Sequence, residues 1–309
     1  MEHFSSLSVL LAPELVERVL DNEWEQNGDE PKTSTIDLAK KIVAVARSAN
    51  CLSKDQLAQL DDKRAALEQY RKEGLTQKNL KLIRQVLNSE VWRRVINGPD
   101  ELLRKARSLK GQAPVKAAVT AQIAVAVAIL TAAPIRASNL AVIRLGENLN
   151  KPGGPEGTYL LTFPDYDVKN QVDLTFELDE YVTAVIDEYV HDYRPALMRG
   201  SNEDWLFPGT DGGSKHAHLF GIQVTERIQK VIGLRITLHQ YRHAAAAVYL
   251  KDHPGDYETV RRFLGHRSVR TTAKFYCGLE TIQASRLLND VIQRLRRMES
   301  DDDKSTDNP

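Results

Sequence analysis

The chain has 309 residues, 42% hydrophobic and 27% charged, with a formal net charge of zero. That length is large for one core, so two domains are expected, and the composition is that of an ordinary globular protein. No uninterrupted run of about 18 apolar residues occurs, so no membrane-spanning helix is expected; the longest apolar stretch, Ala121 to Ala133, is interrupted by Gln122 and Thr131. The N-terminus lacks a basic start followed by an apolar segment, so no signal peptide is expected. Cys51 and Cys277 are the only cysteines, which excludes a disulfide framework and suits a reducing cytoplasm. Zero net charge hides a segregation. Residues 1–30 hold eight acids against Arg18, leaving −7, and residues 299–309 hold five acids against Lys304, leaving −4. The body between them therefore carries +11, which is compatible with a nucleic-acid partner because phosphate contacts depend on local charge.

The first third reads as helices. Ile36, Leu38, Ala39, Ile42, Val43 and Ala46 recur at helical spacing, with Ser34 or Thr35 as candidate N-caps. Leu57, Leu60, Ala65, Leu67 and Tyr70 predict a second helix that ends near Gly74. Thr76 is placed to cap a third through Leu80, Ile83 and Leu87, and Ser89 a short fourth through Val91, Trp92 and Val95. Asn97-Gly98-Pro99-Asp100 is a turn signal. After it Arg104, Lys105, Arg107, Lys110 and Lys116 crowd a stretch with Gly111 and Pro114. This stretch reads as an inter-domain linker basic enough to lie along DNA, or equally as a solvated helix end.

The second part changes character. A strongly apolar helix is predicted from about Lys116 to Ala132, then a loop at Lys151-Pro152-Gly153-Gly154-Pro155. Tyr159 to Phe163 and Val172 to Leu178 predict two strands, with Asp165 to Asn170 between them. The pattern is helical again from about Asp179. Asp301 to Pro309 reads as a disordered tail, and no internal repeat is evident.

Five groups of residues in this part carry chemistry in order. Ala133-Pro134-Ile135-Arg136 presents an arginine after a buried helix, and Lys169 sits in the hairpin turn. His239-Gln240-Tyr241-Arg242-His243 opens a helix, Leu264-Gly265-His266 follows, and Thr271-Thr272-Ala273-Lys274-Phe275-Tyr276 completes the series. Taken singly, each fits an ordinary role: surface charge, solvated turn, polar helix face, helix C-cap or core aromatic. The ordered set resembles the tyrosine recombinase (phage integrase) family over roughly residues 115–285, and Trp205-Leu206-Phe207-Pro208 is similar to a recurring family segment.

The resemblance implies a mainly α fold with a small antiparallel β-sheet, arranged as a two-domain clamp. Residues 1–110 would form a helical, SAM-like core-binding domain, short of the family's first helices. Residues 111–298 would form the catalytic domain, and 299–309 an acidic tail. It implies a site-specific recombinase or integrase that cuts and rejoins double-stranded DNA through a 3′-phosphotyrosyl link. The assembly would be a homotetramer on paired sites, with a C-terminal helix at about Thr281 to Arg297 packing into a neighbour. Elementary chemistry agrees with this assignment. Two guanidiniums, Arg136 and Arg242, can clamp the nonbridging oxygens of a phosphodiester. Tyr276 is the candidate nucleophile, His239 a general base or orienter, and His266 a donor to the phosphate. The resemblance implies Lys169 as the general acid for the 5′ oxygen. These cations replace a metal's charge, so no metal, cofactor or ATP is expected.

The sequence departs from the family in three places. Ala133-Pro134 stand where Thr-Gly is usual, and Asn139 stands where an acidic residue commonly follows the first arginine. Tyr276 lies ten residues after His266 where nine is commoner, so Phe275 occupies the usual slot. One residue on a helix is a turn of about 100°, so the loop at Arg267 to Arg270 has to absorb the extra residue, with Phe275 expected to face the core. Tyr241, Tyr249 and Tyr257 are the weaker nucleophile candidates. Two rival readings share the pocket: a non-catalytic DNA-binding protein on a degenerate recombinase fold, and a type IB topoisomerase-like relaxing enzyme.

Overall fold

The computed structural model describes residues 6–26, 32–71, 74–168, 170–277, 284–285 and 287–295. The chain forms two compact units that meet in sequence between Glu73 and Gly74.

The first unit holds α1 (Leu7–Leu10), α2 (Pro13–Gln26), α3 (Thr33–Ala49) and α4 (Lys54–Glu68). Leu11, Val16, Leu20, Ala39, Val43, Ala46 and Leu60 form its core. The helix expected from Ile36 onward is α3, but it starts earlier than the Ser34 or Thr35 caps imply. Thr35 and Ile36 are already buried in its first turn, and Lys32 stands at the cap. At α4 Ser53 and Gln56 cap each other reciprocally, at 3.2 and 3.0 Å, which satisfies two otherwise orphaned N–H groups.

The second unit continues with α5 (Gln77–Val86), α6 (Ser89–Ile96), α7 (Gly98–Leu109) and α8 (Pro114–Ala132). Thr76 caps α5 as its sequence predicts, accepting from Asn79 N–H at 3.3 Å. Asn88 rather than Ser89 caps α6, since its side chain accepts from Glu90 N–H at 2.9 Å. The turn signal at Asn97 to Asp100 is instead the start of α7. Proline is tolerated in a first turn, and Asp100 and Glu101 suit the positive end of a helix. The basic stretch is therefore not a linker: Arg104, Lys105 and Arg107 ride on α7, Lys110 is its C-cap, and Lys116 lies in the first turn of α8. Leu102, Leu103 and Ala106 turn the other face of α7 into the core against α8. That packing places residues 74–110 within the second compact unit, in contrast to a division at 110.

Helix α8 is apolar all round because it is surrounded. Thirteen of its 19 residues are buried, including Gln122. Gln122 donates to the Tyr189 hydroxyl at 3.1 Å, which donates to Leu206 O at 3.0 Å. By length and composition α8 is able to cross a membrane, yet it is the central helix of this unit. After it come α9 (Ala137–Ala141), β1 (Leu149–Asn150), β2 (Leu160–Phe163) and β3 (Leu174–Glu177). The strands form one antiparallel sheet in the order β1-β2-β3, with Leu161 opposite Phe176 and Phe163 opposite Leu174. Strand β1 has only two residues and was not legible from periodicity. The unit closes with α10 (Glu180–Asp192), α11 (Pro195–Met198), α12 (Ala217–Ile232), α13 (Leu238–Asp252), α14 (Tyr257–Leu264) and α15 (Val269–Tyr276). The fold class is mainly α with a small antiparallel sheet. Residues 287–295 are helical, within the span expected for a C-terminal helix; the tail 299–309 lies outside the described residues.

Candidate active site

The site forms where four backbone turns converge. Pro134 cannot continue α8, and Ala133 before it is extended (φ −127°, ψ 94°). The chain therefore leaves the helix and delivers Arg136 in extended conformation at the N-terminus of α9. At the start of α13, Gln240 Oε1 accepts from Thr237 N–H at 3.0 Å and fixes the first turn. His239, Arg242 and His243 then follow at three- and four-residue spacing, which puts them on one face. Gly265 ends α14 in the left-handed region (φ +60°), and a Cβ there would meet Leu174 Cδ2 at 2.9 Å, so glycine is favoured. His266 emerges directly after it.

The fourth turn begins α15. Ser268 caps it, its Oγ accepting from Arg270 N–H at 3.2 Å. Thr272 and Tyr276, four residues apart, share the buried face at 0% and 1% exposure, while Phe275 is 36% exposed. Phe275 was expected to face the core; the phase of α15 gives that position to Tyr276. The reason lies in Thr272 and Tyr276 themselves. Thr272 Oγ1 lies 2.9 Å from His266 Nδ1 and the Tyr276 hydroxyl 2.8 Å from His243 Nδ1, and these two bonds fix the helix in rotation.

Arg136, His239, Arg242, His243, His266 and Tyr276 thus line one cavity of about 300 Å³. Of the proposed catalytic set, the structure brings together all except Lys169, which lies outside the described residues. The turn on either side of it is tied to the site. Asn139 donates to Asp167 O at 3.2 Å, Asn170 donates to Gly265 O at 2.7 Å, and Arg267 Nε donates to Asn170 O at 2.6 Å. Asn139, found where an acid is usual, therefore acts on the hairpin rather than on the arginine. Tyr241 is fully buried elsewhere and Tyr249 donates to Asp256 at 2.7 Å. Neither these two nor Tyr257 lines the cavity.

Among the described residues, no carboxylate lines the cavity. Arg242 is 3% exposed and held by carbonyls alone, donating to Pro134 O at 2.5 Å and Leu264 O at 2.6 Å. Arg136 keeps one guanidinium nitrogen, Nη1, buried with no hydrogen-bond partner. The protonation equilibria reflect this unneutralised positive charge. Burial, reinforced by Arg136, lowers Arg242 to about 10, and burial lowers Arg136 as well. Burial, then the neighbouring histidines and Arg242, lowers His243 to about 4. Burial, then Arg242 and Arg136, brings His266 to about 4, and the same causes lower His239. Burial pushes the Tyr276 phenol up, against the opposing pull of Arg242. Burial and mutual repulsion thus disfavour positive charge on each of these arginines and histidines.

The basic stretch makes a different picture. Arg104 pairs with Glu101 at 2.9 Å, Arg107 makes a two-pronged pair with Glu188 at 2.8 and 2.5 Å, and Lys110 pairs with Asp192 at 3.1 Å. Part of its charge is thus spent joining α7 to α10. Sequence reasoning gave His243 and Thr272 no role. The signal for His243 was its four-residue spacing from His239, and the rings do meet edge-on with centroids 4.8 Å apart.

A helical fold thus gathers two arginines and three histidines around a buried tyrosine. The phage integrase family model matches residues 106–281, more than half of the chain, and the protein belongs to that family, the tyrosine recombinases. Tyrosine recombinase XerD of Proteus mirabilis is 30% identical over 89 residues, a match spanning 28% of either chain. Among solved structures, the XerH recombinase in a post-cleavage complex superposes with a TM-score of 0.49 at 17% identity, covering 83% of this chain and 71% of that one. Lambda integrase residues 75–356, a dimer bound to a core site, gives 0.45 at 13%, covering 85% and 78%.

Proposed function

We propose that the protein is a site-specific DNA recombinase that cuts and rejoins double-stranded DNA through a 3′-phosphotyrosyl intermediate. The observation that carries this reading is a cavity, without a carboxylate among its described lining residues, in which a buried Arg136 nitrogen without a partner and Arg242 face Tyr276. A scissile phosphate supplies the missing counter-charge. Arg136 and Arg242 donate to its nonbridging oxygens, where charge grows in the transition state. His266, oriented by Thr272, donates to the same group, and His239 lies beside the arginines. Tyr276 attacks phosphorus, the 5′ oxygen leaves with a proton supplied by Lys169, and the phosphotyrosyl bond conserves the energy for rejoining. The arginines and lysine do the work of a metal ion. Membership of the family supports DNA as the partner, and we read the assembly as a homotetramer on paired sites. Exposed Leu287, Leu288, Val291 and Leu295 suit a terminal helix that docks on a neighbour. Exposed Lys105 and Lys116 remain candidates for backbone contacts, with Arg104, Arg107 and Lys110 weakened by their acidic partners. Two free cysteines suit a cytoplasmic setting beside the nucleoid.

The near-complete burial of Tyr276 is the one observation that favours the non-catalytic reading. A nicked suicide substrate separates the two. Wild-type protein is expected to give a covalent protein–DNA product on a denaturing gel, mapped to Tyr276. Tyr276→Phe is expected to abolish it with DNA affinity nearly unchanged, since removal of one hydroxyl deletes no charge contact. An adduct on Tyr241, Tyr249 or Tyr257, or one that persists in Tyr276→Phe, refutes the assignment. No wild-type adduct on any cognate site supports the non-catalytic reading.

A further inference from the structure

Among the described residues the Tyr276 hydroxyl hydrogen-bonds only His243, which belongs to the His239–His243 motif but has no role assigned by the family resemblance. The distance is 2.8 Å to Nδ1, and the two side chains are 1% and 8% exposed. The direction of that bond follows from the surroundings. His243 sees His239 and Arg242 on its own helix and His266 and Tyr276 from the elements packed against it, with Arg136 across the cavity. Three of these neighbours add to burial in holding the imidazole neutral, with its pKa lowered to about 4. Burial meanwhile keeps the phenol protonated. Among the described residues the protonated phenol has no acceptor but Nδ1, which gives the bond the direction tyrosine O–H to histidine and assigns the imidazole hydrogen to Nε2. A phenol that donates its hydrogen keeps its oxygen lone pairs free to attack.

On the recombinase reading, we infer that His243 is the group that aims the Tyr276 hydroxyl and receives its proton during attack. As the bond from Oη to phosphorus forms, the hydrogen passes from Oη to Nδ1. The bond from phosphorus to the 5′ oxygen breaks, and that oxygen takes the proton assigned to Lys169. His243 becomes an imidazolium and returns the proton to the tyrosine oxygen when the strand is rejoined. The arriving phosphate makes this possible. The phosphate neutralises Arg242, which disfavours a charged imidazole, and this raises the basicity of His243 when it is needed. His239 is left free to contact the phosphate.

Two substitutions and two readouts test this. His243→Asn places an amide oxygen near the Nδ1 position, which keeps an acceptor for the hydroxyl but cannot take up a proton; His243→Phe removes both. Single-turnover adduct formation is expected to fall on the order of 10²-fold or more in either variant, the usual contribution of a general base. DNA affinity and melting temperature should hold in the asparagine variant. A fluorinated tyrosine at position 276, ionised at the assay pH, should restore the asparagine variant to within about tenfold of the wild type, because an ionised nucleophile needs no base. In the free protein, the nitrogen resonances of His243 should report an unprotonated Nδ1 that responds to Tyr276→Phe. The inference fails if His243→Asn cleaves at wild-type rates, if the fluorinated tyrosine brings no rescue, or if the hydrogen sits on Nδ1. It fails alone when the wild type forms an adduct; a wild type that forms none overturns the recombinase reading as well.

Discussion

Arg136 and Arg242 are expected to do the same chemistry and opposite things to the fold. Arg242 donates to the carbonyls of Pro134 and Leu264, tying the end of α8 and the end of α14 to α13. Arg242→Ala strips the donor from two buried acceptors, at roughly 1–3 kcal/mol each. For a body of this size each kcal/mol lowers the melting temperature by about 2–4 °C. Arg136 offers no such service, because its buried Nη1 has no partner and its charge is lowered in stability by burial. Arg136→Ala should therefore leave the melting temperature unchanged or raised. Cleavage should still fall by about 10²–10³, the loss of a transition-state donor worth roughly 3–4 kcal/mol. DNA binding should weaken only modestly. Differential scanning calorimetry and single-turnover cleavage of a nicked suicide substrate, run on both variants, provide the test. Sulfate adds a control: it should stabilise the wild type by occupying the anion site and stabilise Arg136→Ala less. Equal melting losses in the two variants, or near-normal cleavage by Arg136→Ala, would refute the reasoning.

Two further outcomes follow from the charge of the site. His243 and His266 fall from an ordinary 6.5 to about 4 in the folded protein. Between those values the unfolded chain binds protons that the folded one refuses, so stability is intact above about 6.5 and declines as the pH falls toward 4. Melting curves across that window should show the decline, and sulfate or phosphate should flatten it by raising both groups; a decline that persists unchanged with the anion present counts against the assignment. Cleavage should also continue in excess EDTA, because arginines supply the charge at the phosphate. Activity lost in EDTA and restored by Mg²⁺ would point to a nuclease mechanism.

Much of this protein is local enough to be written in the chain. The apolar run that became α8, the alternation in β2 and β3, the Thr76 cap and the C-cap at Gly265 depend on neighbours a few residues apart, so periodicity and capping chemistry reveal them. The candidate site was legible for a related reason: each charged residue follows a local signal, a helix end, a hairpin turn, a capped first turn or Leu-Gly-His. Relations between distant segments were not legible. Nothing local could show that α7 packs along α8, so the basic stretch read as a linker and the unit boundary as later than Glu73. Strand β1, two residues long, exists only because β2 offers it a partner. The rotation of α15 was decided by Thr272 reaching His266 and Tyr276 reaching His243, across intervals of 6 and 33 residues. Residue types and their order named the chemistry, since a guanidinium or phenol carries its function wherever it stands. Which atom holds which proton, and which arginine was left without a partner, depended on burial and on carbonyls brought from up to 108 residues away, and only the packed chain could decide that.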